Sequence, residues 1–219
     1  MASKSPDLTA TSCERPMVPV WDIFVRVFHW TVVVTFFVAY FTEDDLLSLH
    51  VWAGYVLGVL VVMRIAWGFV GPKHARFTDF VCGPIKVWTY LADLVAFRAK
   101  RHLGHSPAGG AMALALLIGL LAVVWTGLEL YAVEENAGPL AAMSTGTESA
   151  GLLILASNDD DDDEREDEAE EFWEDLHESL SNIVLVLVIL HVAGVLLASV
   201  VHRENLSRAM VTGLKRPED

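Results

Sequence analysis

Four sparsely charged apolar runs of membrane length, separated by strongly charged connectors, dominate this 219-residue chain and constrain its fold more than anything else in it. The predicted spans are Ile23 to Phe41, Leu47 to Val70, Ala108 to Val133 and Leu180 to Val201. Each is close to the roughly 20 residues a helix needs to cross about 30 Å of hydrocarbon. A soluble all-helical protein would instead show amphipathic stripes, and its hydrophobic content would fall below the 53% found here. No fifth run qualifies: Gly151 to Ala156 is apolar but too short to span, and reads as part of an external loop touching the interface. The expected fold is all-α, a four-helix transmembrane bundle.

Lysine and arginine placement predicts the orientation. The connector between spans two and three holds Lys73, Arg76, Lys86, Arg98, Lys100 and Arg101, and the C-terminal tail holds Arg203, Arg208, Lys215 and Arg216. Those ends are expected in the cytoplasm. The first connector carries Glu43, Asp44 and Asp45, and the third runs through Asp159 to Asp163 into a Glu-rich stretch opposed only by Arg165, so both are expected outside. Two cytoplasmic termini agree with an even number of spans. The chain thus divides into a cytoplasmic segment, residues 1–20, a membrane domain, residues 21–203, with an acidic external loop over about 134–172, and a cytoplasmic tail, residues 204–219. Pro6, Pro16 and Pro19 and the lack of an apolar core before Trp21 argue against a cleaved signal peptide, leaving the first span to direct insertion.

Cys13 and Cys82 form no Cys-x-x-Cys pair, so neither a zinc knuckle nor a thiol redox motif is present. Without Cys-x-x-Cys-His, any haem would be held by side-chain ligands alone. Four of the eight histidines fall in or at the ends of spans: His29, His50, His177 and His191. Ring nitrogens in hydrocarbon are costly without partners, which makes intramembrane histidines functional candidates, although a single interfacial histidine is commonly structural. Depth discriminates between these readings. At 1.5 Å per residue, His29 lies about 12 Å in from the cytoplasmic side and His191 about 15 Å from the same side. His50 and His177 begin their helices on the outer side. His177 and His191 are roughly 21 Å apart along nearly one face of the fourth helix. Two depth-matched imidazole pairs sharing one helix describe two bis-histidine haems stacked across the bilayer, the inner between spans one and four and the outer between spans two and four.

Gly54 and Gly58 follow His50 at steps of four, and Gly194 lies one turn beyond His191. They offer a smooth groove for a flat macrocycle, or else close helix packing. Arg26, one turn from His29, and Arg64, at the cytoplasmic end of span two, are candidates for pairing a haem propionate or for snorkelling to headgroups. Span three has no histidine and reads as a scaffold containing Gly119 and Gly127. His74, His102 and His105 read as solvated loop residues, and His202 as interfacial.

The segments Val20-Trp21-Asp22 through Arg26 to His29-Trp30, His50-Val51-Trp52-Ala53-Gly54 and Gly71-Pro72-Lys73-His74-Ala75-Arg76-Phe77 form an ordered set. It continues with Leu103 to Gly110, Ala137-Gly138-Pro139-Leu140, Leu176-His177-Glu178 and His191-Val192-Ala193-Gly194. In this order, from Val18 to Lys215, the chain resembles the bacterial cytochrome b561 group of di-haem membrane cytochromes, which includes the cytochrome b subunits of nickel-iron hydrogenases. The resemblance implies two b haems per chain ligated by His29, His50, His177 and His191, a bacterial inner membrane, and electron exchange between a quinone pool and a partner protein. The acidic insert Asp159 to Glu171 is longer than the family leads one to expect.

The expected function is therefore a one-electron relay, since two six-coordinate haems leave no open iron site. The redox partner would be a hydrogenase or a basic protein such as a c-type cytochrome. Alternatives are oxidation of a small external donor such as superoxide, which the acidic outer surface would repel, and a non-redox membrane anchor, which would leave four buried histidines unexplained. Membrane lipid is an expected partner and nucleic acid is not; a homo-oligomer is compatible with the sequence. The acid run itself reads as disordered and solvated, or else as a docking surface or a divalent-cation site.

Overall fold

Asp22 starts the first spanning helix, α1 (Ile23–Tyr40), its side chain accepting from the Val25 backbone N–H at 2.9 Å. In the computed structural model, which describes residues 17–43, 46–141 and 160–217, α1 is followed by α2 (Leu47–Val70), α3 (Phe77–Phe80) and α4 (Pro84–Val95). Then come α5 (Pro107–Glu134), α6 (Asp160–Val201) and α7 (Leu206–Thr212). Helix α5 begins at Pro107 behind Ser106, whose hydroxyl accepts from Gly109 N–H at 3.1 Å. Helix α2 stops at Gly71-Pro72, where the chain turns extended. The sequence readings at Cys13, Asp44, Asp45, Gly151 to Ala156 and Asp159 lie outside the described residues.

Among the described residues, four helices are long and apolar enough to cross a membrane: α1, α2, α5 and the Ala169–Val201 part of α6. Their outward faces present Val27, Val34, Val59, Val62, Ile118, Leu121, Ile189 and Val200. A surface of this kind is stable only against hydrocarbon. Helix α5 packs most extensively on α6, α1 on α2, and α2 on α5. The buried core layer is Phe36 from α1, Leu57 and Val61 from α2, Leu120 and Val123 from α5, and Val184 from α6.

The acidic run departs from the expectation of disorder, because the backbone is helical from Asp160 onward. At 1.5 Å per residue the 42-residue α6 is about 63 Å long, twice the hydrocarbon thickness. His177 is consequently well inside a helix that continues past it, and does not begin the helix.

At the opposite end of the bundle, β1 (Val18–Pro19) pairs antiparallel with β2 (Leu214–Lys215), in register Val18 to Lys215. This pairing puts the two ends of the described chain at one end of the bundle, beside the connector that holds α3 and α4. Arg101 closes that end. Its Nε and Nη2 donate to the Glu204 carboxylate at 3.0 and 2.9 Å, and its Nη1 donates to the Pro217 carbonyl at 2.9 Å.

Candidate functional site

The helices bring the intramembrane histidines together in two pairs. His50, in the first turn of α2, faces His177 on α6 with ring centres 6.0 Å apart and planes at 75°. His29 on α1 faces His191 on α6 at 6.4 Å and 54°. Depth along the helices predicts the same pairing. The core layer lies between the pairs: Phe36 is two turns from His29, Leu57 two turns from His50, and Val184 two turns from each α6 histidine.

The pair nearer the acidic end is the more completely built. His50 Nδ1 donates to the Ala39 carbonyl of α1 at 2.9 Å. His177 Nδ1 donates to the Thr126 hydroxyl of α5 at 3.1 Å, and that hydroxyl in turn lies 3.1 Å from the Ala122 and Val123 carbonyls, to which it donates. A ring whose Nδ1 carries the donated proton has its lone pair on Nε2, the usual arrangement of a metal-ligating histidine oriented from behind. Gly127 permits the approach, since a Cβ there would fall 2.8 Å from His177 Cε1. A cavity opens beside the pair, lined among others by Gly54, Tyr55, Tyr131 and Ser181. A Cβ added to Gly54 would meet nothing within 4 Å.

Of the other candidate residues, Gly194 likewise has open space where a Cβ would stand, whereas a Cβ at Gly58 would come within 3.0 Å of Val124 Cγ1. Gly58 therefore occupies a close-packed contact between α2 and α5. His29 Nδ1 is buried without a hydrogen-bond partner among the described residues. Arg26 reaches the Val211 carbonyl through Nη2, and its Nε is buried without a partner among the described residues. Arg64 is 7% exposed, its guanidinium 5.5 Å over the Phe77 ring and its Nη1 without a hydrogen-bond partner among the described residues. Both arginines are directed into protein at the bundle end that holds the paired termini.

The sequence profile of the prokaryotic cytochrome b561 family matches residues 20–213. The chain belongs to this family. By family it is a b-type cytochrome, and its four apolar helices agree with a place in a membrane. It is 29% identical over 153 residues to a probable Ni/Fe-hydrogenase B-type cytochrome subunit of Rhizobium leguminosarum bv. viciae, a match covering 57% of this chain and 63% of that one. To the protein of the same description from Rhodobacter capsulatus it is 24% identical over 236 residues, covering 94% and 84%. To a probable Ni/Fe-hydrogenase 1 B-type cytochrome subunit of Escherichia coli (strain K12) it is 29% identical over 144 residues, covering 53% and 61%. The chain thus spans less than two thirds of the length of the Rhizobium and Escherichia relatives. No solved structure matches it.

The b-type haem that membership implies fits the histidine geometry. A metal bonded to two facing imidazoles at about 2.0–2.1 Å each, with about 1.1 Å from nitrogen to ring centre, puts the ring centres about 6.3 Å apart. The observed 6.0 and 6.4 Å bracket that value.

Two residues escaped the sequence reading. Thr126 was hidden in a span judged a scaffold because it lacks histidine; a hydroxyl beside a glycine in an apolar helix was the available signal. His105, expected to be solvated, is half-buried between Trp21 and Phe80, with ring centres 4.6 and 4.5 Å away and Nδ1 buried without a hydrogen-bond partner among the described residues. The cause is tertiary, since the connector folds back under the bundle and meets the paired strands. Burial, with Arg64 and Lys215 nearby, lowers the His105 pKa to about 3, against the opposing charge of Asp79.

Proposed function

We propose that each histidine pair holds one haem b, so that the chain carries two haems and relays electrons across the bilayer between a quinone pool and a partner redox protein. The observation carrying this reading is the pair of facing imidazoles at 6.0 and 6.4 Å, one set oriented through Nδ1 by Ala39 and Thr126. A b haem held by two imidazoles would supply one-electron reduction and reoxidation. The protein's own part is positional. Helix α6 carries one ligand of each pair about 21 Å apart, and the apolar layer around Phe36, Leu57 and Val184 keeps water from between them. Gly54 and Gly194 leave room for a flat ring, while the buried, unpartnered nitrogens of Arg26 and Arg64 suit haem propionates at the His29–His191 end.

The relatives' descriptions favour a nickel-iron hydrogenase as the partner. Basic residues in the connector holding α4 and in the C-terminal tail favour a cytoplasmic location for both ends of the chain, with the acidic start of α6 outside. In this reading residues 21–203 make up the haem domain.

A reduced-minus-oxidised spectrum with a haem assay on the purified protein tests the proposal. Two b haems per chain are expected, with His50→Ala and His29→Ala each removing one and sparing the other. One haem per chain, or retention of both in either variant, overturns it. Reporter fusions at residue 219 test the orientation, which an external C-terminus would reverse.

A further inference from the structure

Helix α4 presents three distinct faces, only two of which are accounted for by protein and water. Tyr90 and Leu94 are buried against the bundle. Lys86, Thr89 and Asp93 form a polar arc, with Asp93 bonded to Arg98 at 3.0 Å. The remaining arc, turned by about 100° per residue, consists of Ile85, Trp88, Leu91, Ala92 and Val95. It is strongly exposed, with Ile85 81%, Trp88 77% and Val95 69% accessible.

The end of the helix adds an independent observation. Arg98 N–H donates to the Asp93 carbonyl and Phe97 N–H to that of Leu94, a capping geometry that puts residue 97 in the left-handed region with φ 58°. Glycine is the usual occupant of such a position. Here it is a phenylalanine, 65% exposed, which extends the apolar arc past Val95.

We propose that α4 is an in-plane membrane helix, its Ile85–Trp88–Val95–Phe97 face seated in the headgroup and upper acyl layer of an anionic leaflet. Three observations select lipid as the occupant. The arc is continuous with lipid-facing surface, because Val81 and Cys82 just before α4 border an apolar groove that runs onto Ala111, Leu114 and Ile118 of spanning helix α5. An interfacial helix carries an aromatic at headgroup level and cations beside its apolar face, and Trp88 and Lys86 meet that description. The charge is also complementary: Asp93 is taken up by Arg98, while Lys86 and Lys100 have no carboxylate partner among the described residues, so the flank attracts anionic headgroups. The assignment rests on the membrane-spanning helices and does not depend on haem number.

The test uses the full-length protein with Cys13→Ser and Cys82→Ser, reconstituted in phosphatidylcholine vesicles with or without phosphatidylglycerol. Spin labels are placed singly through Trp88→Cys, Val95→Cys and Thr89→Cys. Labels at 88 and 95 should collide with dissolved oxygen in several-fold preference to a water-soluble nickel chelate, and the label at 89 should do the reverse. Phosphatidylglycerol should deepen the label at 88, and Lys86→Gln with Lys100→Gln should abolish that response. Equal accessibility at 88 and 89 overturns the proposal, as does exclusion of both reagents at 88, which would mean a second copy or another protein covers the face. Indifference of the parent protein to phosphatidylglycerol overturns the anionic part. Because haem content is read separately from the same preparations, failure here leaves the electron-transfer reading untouched.

Discussion

Thr126 shows how one hydroxyl can set the chemistry of a histidine on another helix. With its own proton given to a carbonyl of α5, it accepts from His177 Nδ1 and leaves the Nε2 lone pair free for the haem iron proposed above. Thr126→Val keeps the shape and removes the acceptor. Loss of such a supporting bond weakens metal affinity by about 10–100-fold, so, on the proposed two-haem reading, this variant should lose the haem of the His50–His177 pair on dilution in detergent while that of the His29–His191 pair is retained. Equal retention of both would refute the role. At the other end, His105 predicts a pH dependence. It is held neutral in the folded state, with its pKa lowered from 6.5 to about 3, while the unfolded chain takes up the proton near 6.5. Its contribution to stability is therefore full above about pH 6.5 and lost as the pH falls towards 3. The slope is at most about 1.4 kcal/mol per pH unit. Thermal unfolding of His105→Gln against the parent from pH 7 to 4 should show a flatter curve for the variant; parallel curves would exclude this origin.

At the scale of elements, the caps differ in what depends on them. Ser106 satisfies one N–H of α5. Asp22 caps α1, accepts from Trp67 Nε1 at 3.5 Å and sets its charge against buried Arg64. Removing a cap costs about 0.5–2 kcal/mol, and Asp22→Ala is expected at or above the top of that range, with Ser106→Ala near the bottom. Unfolding of both variants in one detergent checks the order, and equal losses would show that Asp22 is only a cap. Helix α6 departs most from its predicted length. Hydropathy marks only the part that crosses lipid, so a polar extension of the same helix looks like a loop. Helix α4 is a related case: its apolar positions are readable, but which face meets the bundle depends on α5.

For the molecule as a whole, the ends of the described chain and the connector between spans two and three close one end of the bundle. Arg101 forms the tie, joining the connector to Glu204 and to the Pro217 carbonyl. Arg216 N–H adds a bond to the same carboxylate at 3.2 Å. Taking one partner from a largely buried ion pair costs about 3–5 kcal/mol, because the other charge is left desolvated. Arg101→Ala should therefore loosen the C-terminal segment and expose Lys215, itself buried over Trp21, to trypsin. An unchanged cleavage rate would mean that the strand pairing alone holds the tail.

What the sequence determined by itself follows from rules that act along one helix. Hydropathy over about 20 residues marks a span, and a fixed rise per residue puts His29 level with His191 and His50 level with His177. Those pairings needed no knowledge of how the helices touch. The tertiary structure decided what depends on contacts between distant segments: Thr126 behind His177, Gly58 against Val124, the burial of His105 and the outward face of α4. Each is a matter of which neighbour occupies a given direction, and neither composition nor periodicity records the rotation of one helix about its axis relative to another.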